Sequence, residues 1–319
     1  TVSLINRGSG LIGAGQGNEH LLTIKAPNAT LMNLGSAEIS ANTLNFNVAT
    51  LANKAAIYGG TGDANFPTTD FANYIKVGGE LSNSGLIALG ATASSFNSRD
   101  FITAQTIKNE VAAVLDANGN AVMSNGVALV NVGAIQSTFD LALEVGQLLD
   151  NSGDLVADRV LSINGTGAAL TINNRAGGQM QAVGTGLNSL QIYGSNASGT
   201  NVTLNNFEDA AIRAATFSLS TSIIDNAGDI FAFADIGSGI SASEKLTNSG
   251  YVALASGGDS TSNVNVGIFD NKANAVFETG GNLNLNITGA SLDNRGSLLA
   301  GRNLIINATG TTTPTAITN

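Results

Sequence analysis

Cysteine and tryptophan are absent from this 319-residue chain, proline occurs three times and histidine once. Without cysteine there is no disulfide staple and no thiolate set for zinc. The single histidine, His20, excludes a histidine-cluster metal site and argues against a Ser-His-Asp triad. Charged residues are also scarce, at 11% of the chain, against roughly 25% in an average globular protein. With 13 Lys+Arg and a net charge of −10, nucleic acid and anionic membrane surfaces are poor partners. No run of 18 apolar residues occurs, so no transmembrane helix is expected. Glycine lacks the three-residue period of collagen. A hydrophobic content of 43% with so few charges disfavours disorder. Residue 1 is Thr with no signal peptide ahead of it, which reads as a processed chain or a fragment.

Glycine and asparagine are abundant, with 39 of each. Many of these asparagines belong to one recurring phrase: apolar, any, Asn, then Gly or Ala, then apolar-any-small. It is clearest at Leu81 (LSNSGLIAL), Leu149 (LDNSGDLVA), Ile224 (IDNAGDIFA), Leu246 (LTNSGYVAL) and Leu292 (LDNRGSLLA). Looser copies begin at Leu4, Leu31, Leu51, Leu129, Ile172, Leu204 and Phe269. The keyed asparagines are Asn6, Asn33, Asn53, Asn83, Asn131, Asn151, Asn174, Asn206, Asn226, Asn248, Asn271 and Asn294. Seven of their eleven spacings lie between 20 and 23 residues, and the 48-residue gap before Asn131 has room for a thirteenth, degenerate unit.

Between these phrases run segments of strict alternation, such as Leu44, Phe46 and Val48, or Leu283, Leu285 and Ile287. Period two marks strands with one buried and one solvated face. Units of about 20 residues cannot bury an apolar face alone and must stack. The expected fold is all-β: a parallel β-solenoid of about 12–13 turns, near 58 Å long at roughly 4.8 Å per turn. Stacked once per turn, the asparagines can form a ladder of side-chain amide hydrogen bonds. Asn also tolerates left-handed corner dihedrals, and the glycine two residues later suits a left-handed corner. Low charge fits the same picture, because a repeated charged column would set like charges about 5 Å apart.

The solenoid is expected over residues 1–310, with insertions at 59–79, 91–126 and 183–202. The stretch 101–114 has the spacing of an amphipathic helix (Phe101, Ala104, Ile107, Val111, Val114), and Val114–Val122 reads as a hairpin around Asn118-Gly119. Two segments faintly suggest calcium loops: GGTGDANF at 59–66, with Asp63 out of place, and Asp116–Asn120, which lacks the closing Glu. Asp150, Asp154 and Asp158 lie on one turn, echoed by Asp225 and Asp229, with Arg159 as the nearest cation; paired carboxylates of this kind can perform acid–base work on a glycan. Solvated strand residues and glycine turns explain all of these, so no catalytic, cofactor-binding or metal site is expected. The tail 311–319, TTTPTAITN, reads as disordered or as a strand that adds to a neighbouring subunit.

The segment LDNRGSLLAGRNLIINATG at 292–310 resembles the filamentous-haemagglutinin repeat of bacterial two-partner-secretion exoproteins, and LTNSGYVALA and LVNVGAIQSTFDLALEV are similar to weaker copies. The resemblance implies a single right-handed parallel β-helix in a large exported protein, at the bacterial surface or outside the cell. The expected role is structural or adhesive and non-catalytic, with the chain itself as end-to-end partner and host or neighbour-cell surfaces or glycans as possible further ones. The alternatives are a shaft fragment of a larger adhesin or contact-dependent toxin and, from another class, a glycan-active β-helix enzyme or carbohydrate-binding module.

Overall fold

The alternating segments form strands, and the keyed phrases form the corners between them. The computed structural model describes residues 2–14, 20–61, 71–90, 99–113, 121–124, 127–183, 189–194, 201–309 and 316–318. Among these the fold is all-β, and no helix is present. The chain divides into two compact units, Thr1–Leu141 with Asp150–Val156, and Ala142–Leu149 with Ala157–Asn319.

In the first unit, successive repeats pair in parallel. Val2–Gly8 lies against the end of Leu21–Gly35, which lies against Thr43–Asn53. Thr43–Asn53 pairs with Phe71–Val77 and Glu80–Asn83, and these pair with Arg99–Asn109. A second parallel series runs through Leu11–Gly13, Glu38–Ala41, Ala56–Thr61, Leu86–Gly90 and Ala134–Ser137. The second unit repeats the plan. One series includes Thr216–Asn226, Gly239–Asn248, Thr261–Asn271 and Asn282–Asn294, and the other runs from Gln179–Ala182 to Ser297–Ala300.

Parallel register turns the sequence period into apolar columns. Ile39, Ile57, Ile87 and Ile135 stack one above another and are fully buried. In the second unit Leu204, Ile224, Leu246, Phe269 and Leu292 form one buried column, and Ile212, Ile230, Val252 and Phe277 form another. The Phe269 and Phe277 rings meet edge to face at 5.2 Å between centroids. Each buried side chain of this size contributes about 1.5–3 kcal/mol of transfer free energy.

Several expectations are corrected. Residues 101–109 belong to the strand Arg99–Asn109 and form no helix. Its buried residues include Ile102, Ala104, Ile107 and Asn109. Alternation reverses phase at a bend where Gln105 and Thr106 both donate to the Gly79 carbonyl, and the resulting 2-3-2 spacing imitates a helical stripe. Parts of the three expected insertions are sheet strands: Phe71–Val77, Arg99–Asn109 and Ser189–Gly194. Each shows only two to four buried apolar positions amid polar flanks, which hid them. The Asn118-Gly119 turn, Asp116 and Asp63 lie outside the described residues. Near the end of the chain, Ala316–Thr318 pairs in parallel with Ser291–Asp293 of the same chain.

The corner glycines have two causes. Gly8 and Gly35 take positive φ, 67° and 73°. Gly228 and Gly250 do not; an added Cβ there would collide with the carbonyl oxygens of Ala210 and Gly228, in the adjacent repeat. Gly250→Ala is therefore expected to lower unfolding stability by about 1–3 kcal/mol through overpacking. Gly257→Ala, where the nearest atom is 3.4 Å from the new Cβ, should stay within about 0.5 kcal/mol. Urea unfolding of both variants checks this.

Candidate functional site

Asparagine is ordinarily a surface residue, and a buried amide without partners costs several kcal/mol. Here the corner asparagines are 0–7% exposed. They solve the problem with one another. In the first unit Asn6, Asn33, Asn53, Asn83 and Asn109 each donate from Nδ2 to Oδ1 of the next, with Asn109 donating to Asn151, at 2.8–3.0 Å. In the second unit the same chain runs Asn174, Asn206, Asn226, Asn248, Asn271, Asn294 at 2.7–2.9 Å.

The other amide hydrogen crosses to the second series of strands. Asn33 donates to Ala56 O, Asn206 to Asp229 O, Asn248 to Val276 O and Asn271 to Ser297 O, at 2.8–3.1 Å. In each case the acceptor is the first residue of a strand in the following repeat. One side chain thus joins its repeat to the next and one sheet to the other. None of these asparagines has positive φ; the non-glycine residues that do, among those described, are Asp209 and Asn274. The corner selects Asn for its amide, and backbone tolerance plays no part.

Eleven of the twelve keyed asparagines are rungs of these two ladders. Asn131 is not. It lies exposed in Val130–Val132, which pairs antiparallel with Val111–Ala113. Asn109 takes its place. The phrase is split: Ile107-Lys108-Asn109 supplies its first half, residues 110–132 intervene, and Gly133-Ala134-Ile135 completes it, with Ile135 over Ile87. Leu129-Val130-Asn131 happens to precede the true corner glycine and so mimics the missing half. The gap of 48 residues hides a displaced rung, with no additional rung among the described residues.

Outward-facing asparagines form further pairs that the sequence reading missed. Asn284 donates to Asn263, Asn307 to Asn286 and Asn286 to Asn265, at 2.8–3.1 Å. Here the later residue donates to the earlier, so these amide dipoles oppose those of the buried ladder.

Charge enters the stack with compensation. Asp270 and Asp293 are register neighbours. Lys272 approaches Asp270 at 2.6 Å, Lys245 at 3.4 Å, and Arg295 bridges Asp270 and Asp293 at 3.4 and 3.2 Å. Partial burial pushes the Asp270 carboxyl upward, but its bonds to Lys272 and Lys245 outweigh this and hold it below the ordinary range. In the first unit Asp100 is fully buried, accepting from Asn73 at 2.8 Å and Ser137 at 2.6 Å. Burial pushes its carboxyl up, against the two hydrogen bonds, and nearby Asp140 adds to the rise.

Of the acidic residues singled out in the sequence, Asp150 lies near the end of Asp140–Asn151 and Asp154 opens Asp154–Ala157 across a corner. In the first unit, burial raises the carboxyl of Asp154, whose backbone carbonyl accepts from Asn109. In the second, Asp225 and Asp229 are exposed and lie in strands of different series, on either side of a corner. His20 is exposed just before Leu21. No group of three His, Cys, Asp or Glu side chains among the described residues is placed to hold a metal ion, and no helix there is long and apolar enough to cross a membrane. Comparison with known protein families, with characterised proteins and with solved structures finds no match to this chain.

Two outcomes are expected. Asn109→Ala orphans buried groups on Asn83 and Asn151, at about 1–3 kcal/mol each, whereas Asn131→Ala should stay within about 0.5 kcal/mol; chemical denaturation separates them. For Asp270, a depressed folded pKa means its contribution is complete above the unfolded carboxyl value and is lost as pH falls through the folded one. Asp270→Asn should therefore flatten the decline in melting temperature below about pH 4. Asp100, raised in the fold, contributes with the opposite sign.

Proposed function

We propose that the chain is a non-catalytic structural or adhesive module: a single right-handed parallel β-solenoid shaft, exported to the bacterial surface or beyond, whose copies stack end to end. The observation that carries this reading is the in-register amide ladder with its apolar columns. It propagates one repeat unchanged into the next and gives length and rigidity without disulfides. Right-handedness is the expected sense, because parallel strands joined through a crossover connect that way in about 98% of cases. The similarity of the repeat phrase to filamentous-haemagglutinin repeats supports export and an adhesive setting.

Self-association is supported by the outermost described strands. In Val2–Gly8, Val2, Leu4 and Ile5 are exposed, and so is Leu11. Leu304–Ala308 is exposed throughout, including Leu304, Ile305 and Ile306. Apolar strands with open edges are templates for another chain, and contacts of unlike ends that do not close generate fibres.

Negative-stain microscopy across a concentration series tests the proposal. Filaments that lengthen with concentration are expected, and Ile5→Lys should abolish them while leaving the far-UV circular dichroism unchanged. A monodisperse monomer at all concentrations would contradict end-to-end assembly.

A further inference from the structure

On outward strand positions, period two ordinarily places Asn, Ser and Thr. One face of the second unit departs from this. The strands Gln179–Ala182, Ala211–Ala214, Asp229–Ala232 and Tyr251–Ala253 stack in parallel. Their outward residues include Gln181, Arg213 and Phe231 in one column and Asp229 and Tyr251 in the next. With Phe233, 37% exposed just beyond the third strand, they line an open groove of about 410 Å³. In a chain that is 5% aromatic, three aromatic rings converge on one surface whose inward neighbours, Ile212, Ile230 and Val252, already fill the core.

The polar groups of the groove are poised for a ligand. Neither the Arg213 guanidinium nor the Asp229 carboxylate has a hydrogen-bond or ion-pair partner among the described residues. Tyr251, by contrast, is fixed: its hydroxyl donates to Glu278 at 2.6 Å. Burial and that bond push its phenol up to about 12, so the ring stays neutral.

We propose that this groove binds a neutral saccharide, as a short segment of a polysaccharide laid across the strands. An aromatic face carries negative quadrupole density, which attracts the weakly positive C–H face of a pyranose. Each sugar hydroxyl both donates and accepts, so neighbouring hydroxyls match a donor-only guanidinium beside an acceptor-only carboxylate. The adjacent opposite charges give the groove no net preference for a polyanion, and a net charge of −10 opposes nucleic acid. An open groove of this kind accommodates an internal stretch of chain as readily as an end. The site goes beyond the shaft role and does not depend on end-to-end assembly.

Affinity electrophoresis of the intact protein tests it, with soluble xyloglucan, mixed-linkage β-glucan, galactomannan and hydroxyethylcellulose in the gel, and heparin as the anionic comparison. Retardation by at least one neutral polysaccharide is expected. Phe231→Ala and Arg213→Ala should each weaken it about tenfold or more, with unchanged circular dichroism, while Tyr251→Phe, which keeps the ring, should retain most of it. Ile5→Lys should bind as well as the unaltered chain, which separates this outcome from the fate of filament assembly. No retardation by any neutral polysaccharide, retardation indifferent to both Phe231→Ala and Arg213→Ala, or retardation by heparin alone would overturn the proposal.

Discussion

A buried carboxamide has two donors and an acceptor oxygen to satisfy, and nothing in an apolar core satisfies them. An identical amide one repeat away, at the roughly 4.8 Å spacing of paired strands, does. That constraint organises both units. It fixes register, because a slip of one residue would turn each asparagine outward and its neighbours inward. With register fixed, Leu204, Ile224, Leu246 and Phe269 must stack in one column. It also couples the two series of strands, since the second Nδ2 hydrogen reaches the first carbonyl of the following strand, as in Asn206 to Asp229. The glycines that follow are required because this corner brings neighbouring backbones into contact.

Outside the core, the same stacking imposes a different rule. A side chain facing solvent sits over its counterpart, so like charges stacked in one column need counter-charge. Asp270 above Asp293 survives because Lys272, Lys245 and Arg295 surround the pair. Elsewhere asparagines fill the columns and bond one another, as Asn286 does with Asn265 and Asn307. Positions that face outward carry no packing duty, so a run of aromatic residues such as Phe231, Phe233 and Tyr251 is free to serve recognition.

Much of this was legible in the sequence, because period-two alternation and the Asn-keyed phrase are both local signals. Leu44, Phe46 and Val48, or Leu283, Leu285 and Ile287, announce their buried faces directly. What could not be read were features that depend on contacts between repeats. The bend at Gln105 and Thr106 shifts the alternation and disguises a strand as a helix. The residues between Asn109 and Gly133 split one phrase and lend its glycine to Asn131. The steric need for glycine at Gly250 arises from the carbonyl of Gly228, 22 residues earlier. The Asn73–Asp100–Ser137 cluster joins three distant segments with no common spacing. The groove was hidden for the same reason, since Gln181, Arg213 and Phe231 come together only through register.

The most direct measurement is hydrogen exchange of the assigned asparagine side-chain amides by NMR. If the ladder governs register, the Nδ2 hydrogens of Asn33, Asn53, Asn83 and Asn109, and of Asn206, Asn226, Asn248 and Asn271, exchange only through unfolding of their repeats, while those of Asn131 exchange at the rate of a free amide. Uniformly fast exchange along the ladder, or protection of Asn131 with Asn109 unprotected, would contradict the account.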